Sequence, residues 1–484
     1  MTPDPKPVLD RRRAGVLLHP TSLPSGDLGD AWRFVDFLAG TGTSVWQMLP
    51  LGPTHSDGSP YHCQSMHALN PALLSTERLV ESGWRIASPA PREHFLAAAL
   101  ACLLRPEHAA PRAAFEAFCV AHAAWLEDYA LYQALRAHHG ARPWWEWPER
   151  LRDREPAALE AAAAGLAETL NRVRFEQFLV ANQFAELRRY AHDRGVRLFG
   201  DMPIFVAHDS AEVWTHRHYF KLDAAGQPRT VAGVPPDYFS ATGQRWGNPH
   251  YDWTRLAADG FRWWHERIAT ELARFDLVRI DHFRGFVACW EIPAGEPTAI
   301  NGRWVPVPGD ALFDSLRARF GELPLVAEDL GIITPQVTAL RRRHGLPGMV
   351  VLQFAFDSGP DNPHLPHNHV PDAVVYTGTH DNDTTLAWFA GLEEAAQRAV
   401  LDYLDTAEPM PRALVQAALH SVARLAVVPM QDLLGLGAGH RMNTPGTTSG
   451  NWQWRFRWEQ LSGEIAEWWR RALALSGRAV KAGD

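Results

Sequence analysis

A chain of 484 residues, 46% apolar and 21% charged, can bury a large core and has the composition of a globular protein rather than a disordered or fibrous one. Its formal net charge of -8, with no basic patch interleaved with aromatics, argues against nucleic acid as a partner. No apolar run approaches a membrane span, and the N-terminal stretch MTPDPKPVLDRRRAGVLL lacks the apolar core and small-residue cleavage site of a leader, so neither membrane association nor secretion is expected.

Residues 14–18 (AGVLL) and 44–49 (SVWQML) are short apolar runs feeding turn-rich segments, HPTSLPSGDLGD and PLGPTHSDGSPYH, and this spacing predicts two strand-loop-helix units of one parallel sheet. From about residue 71 to 194 the chain turns alanine-rich and helical in period, as in AAFEAFCVAHAAWLEDYALYQALRAHH and VRFEQFLVANQFAELRRYAHDRG. No flexible linker marks this stretch as a separate domain, so it reads as helices inserted between the second and third strands. Strand rhythm resumes at 196–201 (VRLFGD), and a long loop region rich in turn residues and aromatics is expected through Trp253. A helix then leads into FDLVRIDHFRG, followed by LPLVAEDLG, GMVVLQFAFD, DAVVYTGTHDND and RLAVVPMQDLLG, and an amphipathic helix ends the chain. Eight strand units are what a closed barrel needs. The expected architecture is an α/β (β/α)8 TIM barrel with inserted helical subdomains: residues 1–70 carry strands one and two, 71–194 the insertion, and 195–484 strands three to eight with the substrate loops and C-terminal helix.

Four scattered cysteines, Cys63, Cys102, Cys119 and Cys289, show no metal or paired spacing and read as free thiols in a reducing cytoplasm. The 20 tryptophans suit either sugar rings or core filling.

The chemistry concentrates at strand ends. In FDLVRIDHFRG, Arg279 and Asp281 share one face and Val278 and Ile280 the other, so a guanidinium and a carboxylate project together where a barrel keeps its catalytic groups. A structural ion pair is the bland alternative. Two later strands also end in acid, at Glu328 and Asp381, and a barrel would bring all three carboxylates to one mouth. Like charges held together push one group toward its neutral form, which supplies the proton donor and ionised carboxylate of glycosidic chemistry; a magnesium or calcium site is the alternative. Periodicity does not choose between Glu328 and Asp329, or between Asp381 and Asp383, while His380 stands ready to donate to a sugar hydroxyl. His364, His367 and His369 in HLPHNH read as solvated loop histidines rather than metal ligands.

The motifs LLHPTSLP, VWQMLPLGPT, SPYH, GDMPIFVAHDSAEVW, AGVPPDYFSATGQRWGNP, VRIDHFRGF, AEDLGIITPQV, LPGMVVLQFAFD, VVYTGTHDNDTT, VVPMQDLLGLG and RMNTPGTTSGNW run nearly end to end, and together they make the chain resemble the amylomaltases, the 4-alpha-glucanotransferases of glycoside hydrolase family 77. The resemblance implies Asp281 as nucleophile, Glu328 as general acid/base and Asp381 as transition-state stabiliser, with Arg279 and His380 beside the sugar at the reacting subsite. It also implies Asp201 and Asp357 near the donor sugar, Gln244, Trp246 and Asn248 in an acceptor-side loop, Asn443 opposite, and Ser59 and Tyr61 in the loop after the second strand. His62, Gln64, Leu69 and a short PSGDLGD loop depart from the family pattern on the donor-side rim.

The implied activity is transfer of α-1,4-glucan segments to the 4-hydroxyl of glucose or another glucan by retaining double displacement, with no cofactor and no metal, acting on maltooligosaccharides, amylose or glycogen. An amylase-type hydrolase and a non-catalytic glucan-binding protein are the competing readings.

Overall fold

The computed structural model describes residues 8–81, 92–103, 105, 109–236 and 240–480. Residues 1–7, within the stretch read for a leader, and 237–239, within AGVPPDYFSATGQRWGNP, lie outside the described residues. In chain order the strands are β1 (Arg13–Leu17), β2 (Val45–Gln47), β3 (Arg197–Met202), β4 (Thr230–Val234), β5 (Gln244–Pro249), β6 (Leu277–Ile280), β7 (Ala288–Pro293), β8 (Arg303–Pro306), β9 (Leu325–Ala327), β10 (Gly348–Val351), β11 (Ala373–Tyr376) and β12 (Leu425–Pro429).

Eight of these form one parallel sheet in the order β10-β11-β12-β1-β2-β3-β6-β9. The Ala327 amide donates to the Pro347 carbonyl across 2.8 Å, so β9 returns to the start of β10 and the sheet curls into a barrel. The expected (β/α)8 fold is the observed one, built on the eight apolar runs that the sequence marks. Alternation divides each strand: Leu17, Val45, Phe199, Leu277, Val326, Val374 and Leu425 belong to one apolar cluster inside the sheet, whereas Val16, Trp46, Leu198, Val278, Ile280 and Val375 join the layer shared with the helices. Gly200 in β3 allows a close approach, since a Cβ there would lie 2.2 Å from the Phe275 ring.

Among the described residues six α-helices run between β2 and β3, the longest being Ala109–His138 and Ala167–Asp193. Their Tyr132, Leu135, Phe178 and Leu187 share the apolar cluster of Trp46 and Leu198, and we read residues 71–194 as an insertion packed on the outside of the barrel.

One expectation fails. The region between β3 and Trp253 is not simply loop: β4 and β5 join β7 and β8 in an antiparallel sheet ordered β5-β4-β7-β8, and a short helix spans Ala211–Thr215. Thr230 sits opposite Pro293 and Gly233 opposite Trp290. Such short strands, interrupted by glycine and proline and joined into one sheet by the long-range pairing of β4 with β7, lack the two-residue period that marks a strand locally. This sheet rises beside the mouth of the barrel and carries β5 on its edge.

Candidate active site

Strand register assembles the first part of the site. Asp201 of β3 lies opposite Arg279 of β6, and both side chains point inward and are buried. Arg279 Nη1 donates to Asp201 Oδ1 and Oδ2 at 2.8 and 2.6 Å, and its Nη2 donates to Asp281 Oδ1 at 2.8 Å. Tyr61, from the loop after β2, donates its hydroxyl to Asp201 Oδ2 at 2.7 Å. Burial opposes the charge on Arg279, yet the carboxylates of Asp201 and Asp281 hold its pKa well above the ordinary arginine value. One cation thus ties two carboxylates together, with the side chain of Asp201 fully buried and that of Asp281 31% exposed at the mouth.

The second acid follows from the neighbouring register. Ile280 of β6 is opposite Ala327 of β9, so Asp281 and Glu328 come next on their strands. Both oxygens of Glu328 are fixed by backbone: His282 N–H donates to Oε2 at 2.8 Å and Leu330 N–H to Oε1 at 3.1 Å. Burial pushes the Glu328 carboxyl up to about 7; the charge of Arg279 resists this and that of Asp281 adds to it. This group therefore holds its proton near neutrality while sitting beside an arginine-paired carboxylate.

The third acid stands in the loop after β11. That loop is anchored by Asp432, just beyond β12, whose carboxylate accepts from the hydroxyls of Thr377 and Thr385 at 2.6 and 2.7 Å and from Thr385 N–H at 2.7 Å. Asp381 Oδ1 accepts from Asn443 Nδ2 at 2.6 Å and lies 3.4 Å from His380 Nε2, while Arg441 donates to the Asp381 carbonyl. The His380 ring stacks on Tyr61 at 5.2 Å and 16°, which joins this loop to the Tyr61–Asp201–Arg279 chain. The side chain of Asp381 is 46% exposed.

The members of the two ambiguous pairs make different contacts. Asp329 turns away to Arg341 and accepts from Met349 N–H, and Asp383 accepts from its neighbour Thr384. Trp246 lies on the exposed edge strand β5, bonded to Gln244 Oε1, with Asn248 Nδ2 donating to Val206 O at 2.9 Å. Ser59 shapes its loop by accepting from Tyr61 N–H. Asp357 stands apart: it accepts from Asn362 at 3.0 Å and, among the described residues, makes no hydrogen bond to the other acids. Of the HLPHNH histidines, expected to be solvated, His367 is exposed and bonds Tyr403, whereas half-buried His364 accepts from Val351 N–H and buried His369 bonds Ser421, so these two satisfy protein groups instead of facing water.

Sequence reasoning missed several contributors. Trp452 packs within 6.0 Å of both the Tyr61 and His380 rings, and Arg441, Asp432 and the backbone N–H groups of His282 and Leu330 hold the acids. Backbone donors leave no residue signature, and Trp452 is one tryptophan among twenty.

A parallel barrel whose mouth gathers carboxylates from separate strands, one of them protonated near neutrality beside an arginine-paired neighbour, defines an enzyme of glycosidic bond chemistry. The comparisons with known proteins narrow this class. The chain belongs to the 4-alpha-glucanotransferase family, glycoside hydrolase family 77, whose model matches residues 17–461. It is 50% identical to the 4-alpha-glucanotransferase of Thermus thermophilus over 481 residues, covering 94% of this chain and 96% of that one. It is 47% identical to the Synechocystis 4-alpha-glucanotransferase, covering 98% and 99%. The amylomaltase from Streptococcus agalactiae, solved in complex with acarbose, superposes with a TM-score of 0.93 at 35% identity over 97% of this chain and all of that one. The chain is accordingly a 4-alpha-glucanotransferase with glucan substrates, and the hydrolase alternative is not favoured.

Proposed function

We propose that Asp281 is the nucleophile, Glu328 the general acid and base, and Asp381 the residue that grips the sugar most tightly in the transition state. Glu328 protonates the glycosidic oxygen as an Asp281 oxygen bonds C1; the C1–O bond breaks and the departing glucan leaves with a free 4-hydroxyl. The glycosyl-enzyme is then attacked by the 4-hydroxyl of an acceptor, which gives its proton to Glu328 while the Asp281–C1 bond breaks. Two inversions return the α linkage, a course that calls for nucleophile and acid about 5 to 5.5 Å apart. Arg279 orients Asp281 directly, and Asp201, itself held by Tyr61, braces Arg279. His380 and Asn443 serve the reacting sugar together with Asp381. Gln244, Trp246 and Asn248 form the acceptor side, where stacking on the indole lets a sugar intercept the intermediate before water does. Ser59 and Asp357 belong to the donor-side rim.

The observation that carries this reading is the paired state of the two acids: Asp281 bonded to Arg279, and Glu328 held by two backbone N–H groups and protonated to about 7. A general acid must carry its proton in the free enzyme. Hence kcat/KM on maltotriose is expected to fall as pH rises through about 7, and Glu328→Gln is expected to remove that limb while lowering kcat by about 10²- to 10⁴-fold. Persistence of the same alkaline limb in Glu328→Gln would assign it elsewhere. With maltotriose alone, longer oligosaccharides plus glucose are expected; maltose and glucose without elongation would mark a hydrolase.

The substrates we infer are maltooligosaccharides, amylose and glycogen, with glucose as the smallest acceptor and neither nucleic acid nor membrane as a partner. No helix among the described residues is long and apolar enough to cross a membrane, and Cys63, Cys119 and Cys289 are free thiols. We place the activity in the cytoplasm, where thiols stay reduced.

A further inference from the structure

His282 stands between two parts of the mouth. It directly follows Asp281, and its backbone adopts φ 53° and ψ 50°, the left-handed region that residues bearing a side chain seldom occupy. That turn delivers its N–H to Glu328 Oε2 at 2.8 Å and the next N–H, of Phe283, to the Glu328 carbonyl at 3.1 Å. The turn is closely packed: a Cβ on Gly285 would sit 2.7 Å from Ile204 and 3.2 Å from the His282 ring. The imidazole meets the Trp246 indole edge to face, with centroids 5.0 Å apart at 88°, and its Nε2 is buried without a hydrogen-bond partner among the described residues.

A strained backbone and an orphaned polar atom both carry a cost, and they persist where the surroundings impose them. Burial lowers the imidazole to about 4, so an uncharged ring lies against the indole. With no hydrogen bond from the described residues on Nε2, packing against the indole orients that edge of the ring. Trp246 needs such a brace, since it sits on an edge strand and is 39% exposed.

We propose that His282 is a positioning residue for acceptor selection: its ring fixes the Trp246 platform while its backbone N–H fixes Glu328, so the indole that receives an incoming glucan and the base that deprotonates it are held at one set separation. This rests on the roles given above to Glu328 and Trp246. Substrate contact is not required of His282 itself.

The test uses the full-length enzyme with α-maltotriosyl fluoride as donor and glucose as acceptor, following fluoride release and product distribution. His282→Asn keeps a residue that tolerates the left-handed turn and its N–H but removes the imidazole. The glucose concentration for half-maximal transfer is expected to rise at least fivefold, more than the release rate without glucose falls, and hydrolysis products are expected to gain at the expense of transfer. Trp246→Ala is expected to have little further effect on glucose half-saturation in the His282→Asn background, because both act through one platform. Unchanged glucose half-saturation overturns the proposal. So do parallel losses with and without glucose, or strictly additive effects of the two substitutions. A wild-type enzyme whose product distribution ignores glucose overturns the transfer reading of Trp246 and Glu328 instead, so the two failures are distinct.

Discussion

Asp281→Asn is expected to lower kcat on maltotriose by about 10⁴-fold or more while leaving maltotriose binding within a few-fold of wild type. The substitution preserves shape and keeps an oxygen toward Arg279, so the Tyr61–Asp201–Arg279 chain has no steric reason to rearrange. What it removes is the electron pair that bonds C1, and no other group supplies one in the same place. Glu328 is pinned by two backbone donors and Asp381 by Asn443, so neither can swing to replace the lost nucleophile. Binding is read from the change in tryptophan fluorescence on titration with maltotriose, and turnover from the oligosaccharide ladder. Residual activity above about one part in a hundred would move the nucleophile to another carboxylate.

Arg279→Met is expected to cost about 3 to 5 kcal/mol of unfolding free energy, the effect of removing one partner from a buried ion pair. The side chain of Asp201 is fully buried and, among the described residues, would keep the Tyr61 hydroxyl as its one side-chain donor. Asp281, being partly exposed, can turn to water, so most of the loss is assigned to Asp201. Adding Asp201→Leu to Arg279→Met is then expected to recover a large part of the stability, because the stranded charge is gone even though the ion pair stays lost. Urea unfolding of the two single variants and the double variant measures this. A loss below about 1 kcal/mol for Arg279→Met would mean that Asp201 takes up a proton or water at little cost, and that the arginine serves alignment rather than stability.

Much of the barrel was legible because each of its strands is buried on both faces and therefore reads as an apolar run, from Val16 in β1 to Val427 in β12. Arg279 and Asp281 were legible as a pair because strand alternation fixes their shared face whatever the tertiary context. Beyond that, local pattern ran out. Alternation could place Glu328 and Asp329 on opposite faces but could not say which face was the mouth, and the difference lies in distant partners, Arg341 for one and His282 for the other. The antiparallel sheet escaped notice because its strands are short and carry Gly233, Gly247 and Pro249 where an alternating apolar pattern would stand, and because the pairing of β4 with β7 that unites it spans some sixty residues. The left-handed turns at His282 and Trp452 were invisible for a different reason: neither residue type announces positive φ as glycine does, so the geometry is imposed by packing.

Double displacement requires a covalent bond between the glucan and one carboxylate, here Asp281. Incubating Glu328→Gln with α-maltotriosyl fluoride lets the activated donor load the enzyme without an acid, while the missing base slows removal of the glycosyl group. Digestion and peptide mass spectrometry are expected to locate a maltotriosyl adduct on Asp281. An adduct on Asp201, Glu328→Gln's own peptide or Asp381, or rapid fluoride release with no adduct at any time point, would contradict it.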